Sequence, residues 1–384
     1  MKLQERGDTR RFEDAHANYY LERIEEAFPH LWKPDAATWM YGLISDLENL
    51  REATEHLVAY GDPVQAVAIV TAGSALWFHR RMADQAQRWL RQALERAEQL
   101  PPDLQAYAHL SAGLFERADP AIARRELEAA ESEFTELGLE ADACVAAAFR
   151  LAAALAEGDA AAYKGVIERV GPFYEARPDL PLYGHLPTYR ALVALHELDV
   201  DAALAGCQEG GRRSRRSGDV LGRLISLLLG SHVHLLVGDH ATAEAWAQEA
   251  LSMGIYDPSQ MAAAFLELAL NKWISGERRA ARELAMRARD HYATIDSVDL
   301  AHITRTRHLW YGPCAEPSFA DIERLVRLPP LAGAIGLMRG RFDELAMLDE
   351  ALGREDLTAQ FRAAAEELDA EFEAALQASS QGAS

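Results

Sequence analysis

The sequence predicts an all-α protein, a right-handed α-solenoid of antiparallel helix hairpins with a period near 40 residues. Three observations predict it. Apolar residues recur at three- and four-residue spacing through long windows, as at Leu90, Ala93, Leu94 and Ala97, which places them on one helical face. Alternating runs of β-branched residues bounded by turn residues are scarce, and the nearest candidate, 64–71, sits inside a longer helical pattern. Short breaks followed by an acidic residue return at a fixed interval.

Those breaks are Ala118-Asp119, Gly158-Asp159, Leu198-Asp199 and Gly238-Asp239, 40 residues apart each time, with Gly276-Glu277 following after 38. Five positions on from the first residue of each break stand Ala123, Tyr163, Ala203, Ala243 and Ala281. Twelve positions on stand Ala130, Val170, Gly210, Ala250 and Ala288. Small residues seven apart return to one helical face, where they let two antiparallel helices approach closely. The same phrase occurs earlier, at Gly61-Asp62 with Ala66 and around Met82 with Ala86 and Ala93. This small-residue pattern resembles the tetratricopeptide repeat in a degenerate form, since the units are longer than 34 residues and most lack its Trp, Gly, Tyr and Pro set.

Taken in order, the chain divides into an opening helical region (1–100), degenerate repeats (101–310), an irregular segment with capping helices (311–376) and a disordered tail (377–384). In the third part Tyr311-Gly312-Pro313-Cys314 and Leu328-Pro329-Pro330 interrupt the rhythm, and Gly340-Arg341-Phe342-Asp343 is expected to restart a hairpin. The closing helix, expected over 357–376, is acidic: residues 339–376 hold 11 acidic and 4 basic side chains. It is expected to act as a solvated cap.

Composition narrows the function. Sixty acidic against 39 basic residues give a net charge of −21, which repels phosphate backbones and anionic lipid and argues against direct nucleic-acid or membrane binding. The cysteines Cys144, Cys207 and Cys314 are odd in number and far apart, a pattern that fits a reducing cytoplasm and neither a disulfide framework nor a metal knuckle. The first eleven residues carry no apolar signal-peptide core, and no apolar run reaches membrane-spanning length.

Residues 12–96 carry an ordered set of phrases: His16-Ala17-Asn18-Tyr19-Tyr20, Trp39, Asp46-Leu47-Glu48-Asn49-Leu50-Arg51-Glu52-Ala53, Gly61-Asp62 with Ala66, Trp77, and Arg88-Trp89-Leu90 with Ala93-Leu94. In order and spacing they resemble the opening of the tetratricopeptide-type carboxyl-terminal region of bacterial STAND-class ATP-dependent transcriptional regulators of the LuxR and SARP types. The resemblance implies a sensor or scaffold role, receiving a small-molecule inducer or a protein partner and regulating an ATPase. The chain departs from such regulators in having no GxxxxGK[ST] phosphate loop and no recognisable helix-turn-helix, so it is expected to be either an excised sensor arm or a stand-alone relative.

The function expected is therefore a non-catalytic scaffold in a regulatory, transcription-related system. Its partner would be a protein or peptide, such as a STAND-type ATPase or a transcription factor, or a small inducer; no cofactor is implied. Polar or aromatic residues on predicted first helices, Arg150, Tyr189, Arg190, Arg223, Asn271 and Lys272, are the candidate groove. Arg212, Arg213, Arg215 and Arg216 form the dense basic run, flanked by glycines, and two readings apply to it. Arginine forks pair bidentately with oxyanions, which suits a phosphate or an acidic partner; the favoured reading is a solvated turn between helices.

Histidine spacing argues against a metal site. His232 and His234, two residues apart on a helix, point about 200° from each other and do not chelate one ion. His302 and His308 with Trp310 define an alternative, a helical enzyme with its site in the irregular segment, and a further alternative is an architectural subunit that oligomerises through exposed ends. The seven tryptophans, spread along the chain, are expected in the core.

Overall fold

The computed structural model describes residues 9–31, 35–116, 119–156, 160–178, 183–253, 257–295, 297, 299–301, 303–304 and 322–381. Among these the chain is helical between short turns, without strands. The helices are α1 (Thr9–Ala27), α2 (Ala36–Ser45), α3 (Leu47–Tyr60), α4 (Pro63–Ala72), α5 (Ser74–His79), α6 (Ala83–Arg96), α7 (Pro102–Phe115), α8 (Pro120–Glu136), α9 (Glu140–Ala156) and α10 (Ala160–Ala176). They continue as α11 (His185–His196), α12 (Val200–Ser217), α13 (Val220–Leu236), α14 (His240–Ser252), α15 (Pro258–Ile274), α16 (Arg278–Tyr292), α17 (Ile322–Arg327), α18 (Pro330–Ala351) and α19 (Glu355–Gln381). Two compact units result: Met1–Tyr183 with Ser217–Val220, and Gly184–Arg216 with Leu221–Ser384. In each, neighbours in sequence pack as antiparallel pairs, most extensively α7 on α8 in the first unit and α15 on α16 and α18 on α19 in the second. This is the organisation of a tetratricopeptide-like solenoid.

Three of the breaks seen in the sequence are hairpin turns with a common construction. Leu198, Gly238 and Gly276 take the left-handed conformation, at φ of 61°, 78° and 81°. The amide of the next residue then donates five positions back, Asp199 to the Ala194 carbonyl (2.8 Å), Asp239 to His234 (2.9 Å) and Glu277 to Lys272 (2.8 Å). These bonds satisfy the carbonyls a helix end leaves open. The two aspartates then begin the following helix: Asp199 accepts from the Ala202 amide at 3.0 Å and Asp239 from Thr242 at 3.2 Å. Such a break is thus a C-terminal stop and an N-terminal cap fused into two residues. Leu198 does this without glycine's freedom, at a cost of roughly 1–2 kcal/mol. A second device, aspartate followed by proline at the first helical position, opens α4, α8 and α15 at Asp62, Asp119 and Asp257. The break at Gly158-Asp159 lies outside the described residues.

The small residues of the repeat seal the hairpins. Ala123, Tyr163, Ala203, Ala243 and Ala281 are buried, as are Ala130, Val170, Gly210, Ala250 and Ala288. At Gly210 a Cβ would stand 2.2 Å from Thr188 Oγ1 of α11 and 2.8 Å from Ser226 Oγ of α13, so only glycine allows α12 to lie this close to both. Larger side chains fill the space between pairs, among them Phe265, Leu266, Leu270 and Trp273 of α15, each contributing roughly 1.5–3 kcal/mol by burial.

Two sequence expectations are corrected. Gly340-Arg341-Phe342-Asp343 restarts no hairpin: α18 runs unbroken from Pro330 to Ala351, and the turn comes at Gly353, with φ 69° and the Arg354 amide donating to Asp349 at 2.9 Å. The glycines of α18 serve close packing instead, since a Cβ on Gly333 would meet the Leu325 carbonyl at 2.3 Å. The run 212–216 is no inter-helix turn either; it is the last part of α12, and the turn follows at Gly218. The closing helix starts at Glu355 and continues to Gln381.

Candidate binding surfaces

The first-helix candidates are distributed over both units. Arg150 of α9, in the first unit, spans two carboxylates of α8, Glu131 at 2.6 Å and Glu128 at 2.9 Å. In the second unit Lys272 of α15 stands 2.8 Å from Glu244 on α14 and 2.9 Å from Glu277, and hydrogen bonds to these two carboxylates raise the pKa of its ammonium. Arg223 of α13 pairs with Glu249, also on α14. Glu244 and Glu249 are five residues apart, hence about 140° around that helix and about 7.5 Å along it. Arg223 and Lys272 therefore occupy different flanks of α14. Tyr189 leans on its own helix, with Oη 3.5 Å from His185 Nδ1, and neighbouring Arg190 is exposed.

Asn271 departs from the expected groove. It is wholly buried and donates to the Glu267 carbonyl one turn earlier at 3.0 Å, so it belongs to the α15 interior and not to an open face. Spacing alone assigns no side to a polar residue on this helix, because α15 is buried nearly all round.

The basic run projects from α12. Ala203, Cys207, Gly210 and Ser214 form that helix's buried stripe, while Arg212, Arg215 and Arg216 face solvent. Arg212 pairs with Glu209 at 2.7 Å, with two thirds of its side chain exposed. Arg213, more covered, donates to the same carboxylate at 2.8 Å and is the main cause of its lowered pKa. Arg215 reaches Glu249 at 3.4 Å, sharing it with Arg223. Glu209 and Glu249 are thus each shared by two arginines.

A buried ionic cluster is absent from the sequence expectations. Arg341 of α18 is fully buried and donates to Glu267 of α15 at 2.9 Å, to His232 Nδ1 of α13 at 2.9 Å and to Glu344. The signal present was a pair of arginines, Arg339 and Arg341, between the apolar Met338 and Phe342, with nothing to say which of them is buried. Eight residues on, Asp349 is also buried, and desolvation pushes its carboxyl up to about 7 despite Arg354 at 3.6 Å.

The remaining candidates have structural partners or lie elsewhere. His234 is 3.2 Å from Asp239 and edge-on to Trp246, so His232 and His234 answer to different neighbours, and burial lowers the pKa of His234. Among the described residues no group of three or more His, Cys, Asp or Glu side chains is placed to hold a metal. Trp77 and Trp273 are buried core residues. Burial pushes the Cys144 thiol up to about 11 and Cys207 higher still, which disfavours the reactive thiolate. His302, His308 and Trp310, and the loop 311–314, lie outside the described residues. No helix among the described residues is long and apolar enough to cross a membrane.

No family model matches the sequence. No curated protein matches it either. Similar solved structures include the apo form of the quorum sensor NprR from B. thuringiensis (14% identity, 91% of this chain and 98% of that one, TM-score 0.47). Others are NprR in complex with its cognate peptide NprX (14%, 92% and 99%, TM-score 0.48) and the apo form of RapI (13%, 95% and 99%, TM-score 0.45).

Proposed function

We propose that this protein is a non-catalytic regulatory scaffold that binds a peptide or protein segment on its helical repeats. One observation carries the proposal: the arginines and lysine on the helix surfaces are held in partly exposed ion pairs with neighbouring carboxylates, as at Arg150, Arg212, Arg223 and Lys272. Such pairs contribute only about 0–1 kcal/mol, so a ligand carboxylate can replace the internal one at little cost to the fold. The packed small-residue seams hold the backbone in place while that exchange occurs. The resemblance of residues 12–96 to STAND-class regulators supports a transcription-related setting, with an ATPase, a transcription factor or a small inducer as the other party.

Selection of a random peptide library against the full-length chain tests the proposal. The expected result is a family of related peptides that bind with micromolar affinity and compete with one another. Failure to enrich any sequence over a scrambled control would overturn it.

A further inference from the structure

In the second unit α12 and α16 each carry arginines four residues apart. On α16, Arg278 and Arg282 stand four residues apart, one turn on the same face. Across from them α19 places Glu367 and Glu371 with the same spacing. Arg278 pairs with Glu367 at 2.5 Å, and Arg282 grips Glu371 through two bonds, 2.8 Å from Nε and 2.5 Å from Nη2. Arg278 also lies over the Trp273 ring, 4.2 Å from its centroid. The molecule thereby shows an acidic helix facing an arginine ladder in matching register: equal spacings let both pairs form without either helix distorting, while α19 itself packs on α18.

On α12, Arg212 and Arg216 repeat the four-residue spacing, with Arg215 beside them, and all three are exposed. Arg212 and Arg215 keep two thirds of their side chains in solvent, against about a third for Arg278 and Arg282. Among the described residues they share their carboxylates. Glu209 is shared by Arg212 and Arg213, and Glu249 by Arg215 and Arg223. Arg216 acts on Glu209 only at a distance, as the weakest of the charges that lower its pKa. Arg212, Arg215 and Arg216 thus form a dense solvent-facing basic cluster at the carboxyl end of α12, in a chain whose net charge is −21.

We infer that the outward face of α12 is a docking surface for an acidic helical segment of a partner protein, carrying glutamates four residues apart, which it would hold as α16 holds α19. The inference rests on the scaffold reading above and specifies the partner's chemistry. Charge complementarity sets the sign, the four-residue ladder sets the helical form, and the solvent-facing pairs let the exchange proceed. Because the chain as a whole is acidic, an acidic partner is steered toward this end and repelled elsewhere.

The test uses the full-length chain and three labelled twenty-residue alanine-rich peptides, read by fluorescence anisotropy. One carries glutamate pairs four apart on one face, the second holds the same glutamates dispersed around the helix, and the third replaces them with glutamine. The expected result is that the first binds at least about tenfold more tightly than the other two and weakens roughly tenfold between 50 and 200 mM salt. Binding should fall at least about tenfold in R212E/R215E/R216E and survive in the charge-keeping R212K/R215K/R216K. All three positions face solvent, and unchanged circular dichroism and melting would confirm the fold of each variant.

Equal binding of the dispersed peptide would overturn the helical ladder, and binding unaffected by the glutamate variant would overturn the surface. An oligonucleotide that bound instead of the peptide, and was lost in the same variant, would reassign the face to phosphate recognition and overturn the inference. Library-selected peptides that bind wild type and the glutamate variant alike would sink the α12 assignment while leaving the scaffold standing. A chain that bound neither library nor probe would lose both.

Discussion

Arg341 and the arginines of α12 are chemically identical and perform opposite tasks. Arg341 has no exposed surface, and its partners Glu267, Glu344 and His232 are themselves buried. The α12 arginines stand in water beside carboxylates they share. The contrast teaches that burial, more than pairing, decides whether a charge is committed to the fold. A buried arginine that loses its partners leaves ions stranded in a low-dielectric interior, whereas an exposed one is resolvated at once.

Five variants sharpen that contrast. Arg341→Ala should have the largest effect, lowering unfolding stability by about 3–5 kcal/mol in urea denaturation, because Glu267 and Glu344 remain buried without it. Replacing Arg341, Glu267 and Glu344 together by Met, Leu and Leu should recover much of the loss, and failure to do so would point to His232 as an essential member. Asp349→Asn comes next, and its effect depends on pH. The folded protein holds a proton on Asp349 up to about pH 7 that the unfolded chain releases near pH 4, so this group's contribution declines as pH rises through that window. The asparagine variant should therefore match wild type near pH 4 and exceed it by up to about 4 kcal/mol above pH 7, since every tenfold difference in proton affinity between the folded and unfolded chain is worth about 1.4 kcal/mol. A constant difference across the range would refute the raised pKa.

On the covered ladder, Arg282→Ala should cost about 1 kcal/mol, the value of a partly exposed bidentate pair, and the loss should shrink in high salt. The smallest effect belongs to α12: R212E/R215E/R216E should change thermal stability by less than about 0.5 kcal/mol. A loss as large as that of Arg282→Ala would mean these arginines serve the fold after all.

The same contrast explains what the sequence could and could not disclose. The turns are legible because their chemistry is local: Gly238 and Asp239 contain the left-handed stop and the cap within two residues. Buried small positions such as Ala203 and Ala243 are legible because the repeat returns them to one face. Asn271 and Arg341 are not, since their environments depend on helices far away in the chain; Arg341 meets Glu267 across 74 residues and His232 across 109. Glycine misleads at Gly340, which reads as a break yet continues a helix whose burial outweighs glycine's cost of about 1 kcal/mol, whereas Gly210 sits inside α12 where the Thr188 and Ser226 hydroxyls leave room for nothing larger. The density of arginines at 212–216 can be read from the residues themselves, whereas their place on a helix depends on what α11 and α13 press against it.

The fused turns have a mechanical consequence. Asp199 and Asp239 each close one helix and open the next, so these hairpins have no spare residue at the elbow to absorb a change of angle. A force that tilts one member of such a pair is transmitted to the other through a joint without slack. The hairpin is then the smallest element that can move, and a partner pressing on the outside of α12 would carry α11 with it. Amide exchange should show this as shared protection, with the Asp199 amide exchanging no faster than the helices on either side of it.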